Sequence, residues 1–162
     1  MGNHIINLNS LNNTDILARL IAKNLFPKAI VLLWGEMGSG KTTFAKSLCS
    51  GLGVQTEKVT SPTYTIANIY QGLLPIFHID LFRLSSSQEL EDFDRNDLIT
   101  DEGITIVEWP KLILSFLTDE PLINLKFETV SSYTRRVELE SNFNDFDKIF
   151  TILKNDNIFK NN

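Results

Sequence analysis

Apolar residues recur at helical spacing between positions 14 and 25, where Ile16, Leu17, Leu20, Ile21 and Leu25 share one face. Thr14 stands where a cap would start this helix, and Pro27 lies just past its end. The pattern then changes, because residues 29–34 are apolar throughout, the mark of a strand buried on both faces of a sheet. A glycine-rich turn follows, and helical spacing returns over 42–50, with Phe44, Ala45 and Leu48 on one side. Gly51 and Gly53 are expected to close that helix in left-handed conformations. The predicted opening unit is strand, glycine turn, helix.

The middle of the chain alternates extended and irregular segments. Thr60-Ser61-Pro62-Thr63 excludes regular structure, since Pro62 lacks a donor and moves Ser61 out of the helical region. Residues 64–70 and 75–80 read as extended, with Gln71-Gly72 between them. Ser85 to Gln88 and Ser86 to Glu89 are overlapping capping-box spacings and predict a helix start. Residues 104–109 form another apolar strand, stopped by Pro110. Beyond it, 122–129 and 136–141 alternate apolar and polar around Ser131-Ser132-Tyr133, which predicts an antiparallel hairpin with one solvated face. Phe143, Phe146, Ile149, Phe150 and Leu153 outline a last amphipathic helix. The expected class is α/β, a mainly parallel sheet flanked by helices with an antiparallel C-terminal hairpin. It forms a single domain over 1–155 and leaves a frayed polar tail at 156–162.

Composition narrows the function. The chain has 162 residues and a net charge of −5, which argues against holding nucleic acid unaided, because such binding rests on Lys and Arg neutralising phosphates. A single cysteine, Cys49, excludes an internal disulfide and suits a reducing compartment. No apolar run approaches the roughly 18 residues of a spanning helix, and the start lacks the form of a secretory signal. The expectation is a cytoplasmic protein without a membrane partner.

The chemistry concentrates in the glycine turn. Gly35-Glu36-Met37-Gly38-Ser39-Gly40-Lys41-Thr42 fits G-x-x-x-x-G-K-[ST] in full, between a predicted strand and a predicted helix. A phosphate chain needs several backbone N–H groups in one concavity, and Gly35, Gly38 and Gly40 keep side chains out of it. The following helix adds unpaired N–H groups and the positive end of its dipole. Lys41 would bring a full charge to the β- and γ-phosphates of a bound nucleotide, and the Thr42 hydroxyl would ligate magnesium. A second anchor is needed at a strand end. Ile76-Phe77-His78-Ile79-Asp80 supplies Asp80 as the candidate for the metal, with His78 projecting to the same side, where a structural hydrogen bond is expected over a catalytic role. Residues 104–108 end in Glu108, which would orient the attacking water or complete the metal shell. Trp109 is expected in core packing rather than as a residue that reports on the bound nucleotide.

Four pieces in order carry a resemblance: GEMGSGKTT at 35–43, SPTY at 61–64, HIDLFR at 78–83 and VEWP at 107–110. Together they resemble the TsaE family, the P-loop ATPase of bacterial tRNA threonylcarbamoyladenosine synthesis. The resemblance implies a P-loop NTPase-like fold with ATP and Mg2+ as cofactors, Lys41 and Thr42 on phosphate and metal, and Thr43 beside them. It implies Asp80 and Glu108 for the metal and the hydrolytic water, and residues 61–64 as a switch loop sensing the γ-phosphate, with Thr63 at its tip. It also implies TsaB and TsaD partner proteins, with tRNA reached only through their complex and ATP hydrolysis supporting threonylcarbamoyl transfer to the adenosine beside the anticodon.

Three positions depart from the family pattern: Phe82 replaces a tyrosine, Asp94 a frequent glycine, and Lys111 an acidic or amide residue. Other readings stay open. A P-loop small-molecule kinase would carry an arginine-bearing lid, whereas Arg19, Arg83, Arg95, Arg135 and Arg136 do not cluster near one. A GTPase would show N-K-x-D or T-K-x-D, which do not occur. A nucleotide-gated docking module with incidental hydrolysis is the non-enzymatic reading. For the adenine, the residues before the first helix and the 133–136 region are candidates by position.

Overall fold

The structure is a computed structural model and describes residues 4–62, 64–143 and 147–155. In chain order its elements are β1 (His4–Leu8), α1 (Leu11–Ala22), β2 (Ile30–Gly35), α2 (Lys41–Gly51), β3 (Ala67–Gln71) and β4 (Pro75–Asp80). Then come α3 (Arg95–Leu98), β5 (Ile104–Glu108), β6 (Leu122–Thr129), β7 (Arg135–Ser141) and α4 (Asp147–Asn155). The strands form one sheet in the order β1-β7-β6-β2-β5-β4-β3. Its centre is parallel: β2 pairs with β5 and β6, and β5 with β4. Antiparallel strands close both sides, β7 and then β1 beyond β6, and β3 beyond β4. The expected class is found, a mainly parallel sheet with the C-terminal hairpin at 122–141.

The apolar run of β2 works as expected because each face of the central strand meets its own core. Val31 and Leu33 pack with Leu17 and Ile21 of α1, Phe44 and Leu48 of α2 and Ile149 of α4. Ile30 and Leu32 pack on the other side with Ile79 of β4 and with Leu90, Leu98 and Ile113, which come from short helical segments. Helical cover therefore lies on both faces, long helices on one and single turns on the other. Cys49 is buried in the first core, where burial pushes its thiol up to about 12.

Several local expectations are corrected. Helix α1 starts at Leu11 and is capped by Ser10, whose hydroxyl accepts from the Asn13 amide at 3.1 Å. Thr14 sits a turn inside, and its hydroxyl leans back to the Ser10 carbonyl at 3.4 Å. Gly51 stays helical, and only Gly53 takes the left-handed conformation, at φ 91°. Strand β1, which the apolar pattern does not reveal, supplies the edge beyond β7. Extension begins at Ala67 rather than at 64, since the amides of Thr65 and Ile66 both turn onto the Pro62 carbonyl. The capping box at Ser86 and Glu89 forms, yet it opens a single 3-10 turn, Ser87–Leu90. Asp94 resolves its departure by capping α3, with its own amide donating to Asp97 at 3.0 Å. The last helix is present as α4; Phe146 and the tail at 156–162 lie outside the described residues.

Candidate functional site

Parallel register brings the site together. Leu33 is level with Glu108 across β2 and β5, and Glu108 is level with Asp80 across β5 and β4. Three strand ends thus deliver Gly35, Glu108 and Asp80 to one edge, the carboxyl edge where open α/β sheets bind ligands. Period-two alternation puts Glu108 on the same face as Ile104 and Ile106, toward α2, and puts His78 and Asp80 together with Ile76.

Between β2 and α2 the chain turns over backs that only glycine allows. A Cβ on Gly35, whose φ is 137°, would sit 2.5 Å from the Phe127 carbonyl oxygen and 2.7 Å from Ser39 Oγ. Gly40 caps α2 at φ 109°, and a Cβ there would meet nothing within 4 Å, so the space in front of the helix is open. No side chain caps α2, which leaves its first amides available to an anion.

Lys41, in the first turn of α2, is buried although charged. Its ammonium donates to the carbonyls of Gly35 at 2.7 Å and Glu36 at 2.9 Å, and lies 4.0 Å from the centroid of the Trp109 ring. Burial holds its pKa below the ordinary lysine value, while the negative charges of Glu108, Asp80 and Glu36 pull the other way. Trp109 adopts a left-handed conformation, φ 57°, which ends β5 and turns the indole over the lysine. Its ring also packs on Phe82, with the centroids 5.0 Å apart. Trp109 is therefore at the site as well as packed against the second core.

Next along α2, the Thr42 hydroxyl donates to Glu108 Oε2 at 2.7 Å. The other oxygen, Oε1, takes His78 Nε2 at 2.9 Å, with both side chains out of solvent. His78 thus makes the structural hydrogen bond expected of it, though its partner is Glu108; its Nδ1 has none. Asp80 is buried and accepts the Phe82 amide on Oδ1 at 2.9 Å.

Gly38, Gly40, Lys41, Thr42, Asp80 and Glu108 line one cavity of about 290 Å3, with Met37 and Thr43 at its margin. Ser39 is buried beneath the turn and Glu36 is exposed, its carbonyl held by Lys41. Met37, Gly38 and Gly40 to Thr43 thus share a cavity with the two strand-end acids, whereas Gly35, Glu36 and Ser39 do not line it. A second cavity, about 610 Å3, lies on the other side of Gly38–Gly40 and Thr43. Its walls include Leu8, Asn9 and Ser10 before α1, Tyr133 in the hairpin turn and Arg135 just after it. Both segments that position alone suggested for a base therefore border one space.

Of the loop at 61–64, Thr63 lies outside the described residues. Tyr64 is exposed, and the Arg83 guanidinium carbon is 4.2 Å from its ring centroid, which links this loop to the one after β4. One contact had no signal in the sequence. Arg135 Nε donates to the Ser39 carbonyl at 3.0 Å, across 96 positions of chain.

The family model described as threonylcarbamoyl adenosine biosynthesis protein TsaE matches residues 8–137. The tRNA threonylcarbamoyladenosine biosynthesis protein TsaE of Borreliella burgdorferi is 42% identical over 112 residues, 68% of this chain and 80% of that protein. The protein of the same description from Bacillus subtilis is 39% identical over 110 residues, 67% of this chain and 68% of that one. That of Rickettsia conorii is 32% identical over 136 residues, 83% and 77% of the two chains. The crystal structure of YdiB from Bacillus subtilis superposes with a TM-score of 0.72 at 24% identity, covering 94% of this chain and 95% of that one, which bears on the fold.

Proposed function

The chain belongs to the TsaE family of tRNA threonylcarbamoyladenosine biosynthesis proteins, and from that premise we propose that it is a magnesium-dependent ATPase. In this reading a single domain over 1–155 acts in the cytoplasm with TsaB and TsaD, and ATP hydrolysis supports threonylcarbamoyl transfer to the adenosine beside the anticodon. Among the described residues no helix is long and apolar enough to cross a membrane. The net charge of −5 supports tRNA being met only through the complex.

The observation that carries the reading is the pairing of Thr42 with Glu108 at 2.7 Å beside a lysine seated over the open glycine turn. The turn from Gly35 to Gly40 and the first amides of α2 would hold the phosphates, with Lys41 moving from the Gly35 and Glu36 carbonyls onto them. The base would occupy the 610 Å3 cavity between Asn9 and Tyr133. The donor set fits magnesium, since Thr42, Glu108 and Asp80 offer hard oxygen atoms. Magnesium, when bound, neutralises charge on the phosphates. Thr42 donates its hydrogen to Glu108, so its lone pairs are left for the cation. Glu108 and Asp80 serve the metal and hold the hydrolytic water, and His78 keeps Glu108 aligned.

Phosphate release with ATP and magnesium tests this. We expect slow turnover alone and a rise of at least tenfold when purified TsaB and TsaD are added together. Lys41→Ala should weaken ATP binding at least a hundredfold by calorimetry, and unchanged affinity would displace the site from this turn.

A further inference from the structure

We propose that Arg135 is a positioning residue that fixes the phosphate cradle from behind. The inference rests on the reading of the glycine turn as a phosphate site. Arg135 opens β7 and is held in the sheet by pairing with Leu8 of β1 and Thr129 of β6. Its planar fork reaches two places. Nη1 donates to the carbonyls of Ser131 at 2.9 Å and Thr134 at 3.1 Å, within the hairpin turn. Nε donates to the Ser39 carbonyl at 3.0 Å, and Nη2 to that of Gly38 at 3.4 Å. One guanidinium therefore joins the β6–β7 turn to the tip of the glycine turn.

The consequence follows from peptide geometry. In a trans peptide the carbonyl and the next N–H point opposite ways. With the Ser39 carbonyl drawn toward Arg135, the Gly40 N–H on the same peptide faces away from it, toward the concavity. Nothing else on Ser39 does this work, because its hydroxyl is buried without a partner and its amide is committed to the Glu36 carbonyl at 3.1 Å. Gly40 has the backbone freedom to lose that orientation once the carbonyl is released. A lysine would keep the charge but offers a point donor in place of a rigid fork, and cannot reproduce both attachments.

Inorganic tripolyphosphate is the probe, titrated by calorimetry and followed at the Gly40 amide by nitrogen–proton correlation spectra. For the unmodified chain we expect binding with a large displacement of the Gly40 signal. Arg135→Lys and Arg135→Gln should both weaken tripolyphosphate at least tenfold, and at saturation the Gly40 displacement should shrink to less than half. A loss of folding in Arg135→Gln leaves the decision to Arg135→Lys. Wild-type affinity in Arg135→Lys would mean that Arg135 acts as a nearby charge only, and overturns the proposal. So would an undiminished Gly40 displacement in a weakened variant, the result of a merely structural role. If the unmodified chain binds neither tripolyphosphate nor ATP, the phosphate reading itself fails and the proposal falls with it.

Discussion

Glu108→Gln keeps the shape of the side chain and exchanges one acceptor oxygen for a donor. The amide oxygen is needed by His78 Nε2, so the new NH2 faces Thr42 and occupies a hydroxyl lone pair that the carboxylate left available. ATP binding without magnesium should stay within about threefold, while turnover falls by roughly 10²–10⁴. Calorimetry and phosphate release separate the two; a collapse of magnesium-free binding would make Glu108 chiefly structural. Lys41 and Thr42 were legible because the turn imposes residue types on the backbone at fixed offsets. Asp80 and Glu108 were legible as acids ending apolar runs. Their mutual arrangement was not, since the His78–Glu108 bond depends on the register of two strands 30 positions apart. Arg135 was hidden for the same reason, as every acceptor it uses is a main-chain carbonyl and leaves no mark on side-chain spacing.

At the scale of elements, apolar periodicity located helices and strands well and their ends less well. Leu11 is three-quarters exposed, so the buried stripe of α1 only begins at Thr14 and Leu17. The apolar pattern therefore points to a start at Thr14, whereas Ser10 and Asn13 form the actual cap and the Asn9 amide also donates to Asn13 Oδ1 at 3.0 Å. Ser10→Ala should lower stability by about 1 kcal/mol, whereas Ser10→Thr should retain most of it, as read from urea unfolding. Strand β1 escaped notice because five edge residues, of which Ile6 and Leu8 are buried, give too short an alternation to stand out. The hairpin at 122–141 was legible to within one residue, since a sheet face open to water enforces strict alternation.

For the whole molecule, charge and topology bear on different partners. Arg19, Arg95, Lys126 and Arg136 are each engaged by carboxylates on the surface, and acidic residues outnumber basic ones across the chain by 20 to 15, which disfavours a polyanion. Filter binding of tRNA to the isolated chain at physiological salt should detect nothing tighter than about 10⁻⁴ M; retention at micromolar protein would contradict that. Composition made this expectation available. The parallel order β6-β2-β5-β4 was accessible only as a class, because which apolar strand neighbours which is decided by long-range packing.

The ammonium of Lys41 already rests in the mouth of the glycine turn, bonded to the Gly35 and Glu36 carbonyls under the indole of Trp109. The chain thereby supplies its own placeholder guest. In the proposed function, capture of a nucleotide would be a swap of partners, in which two carbonyls give up a cation and phosphate oxygens receive it. Measured affinity then reflects the difference between two charge-assisted sets, and whatever loosens the resting set sharpens the grip on the ligand.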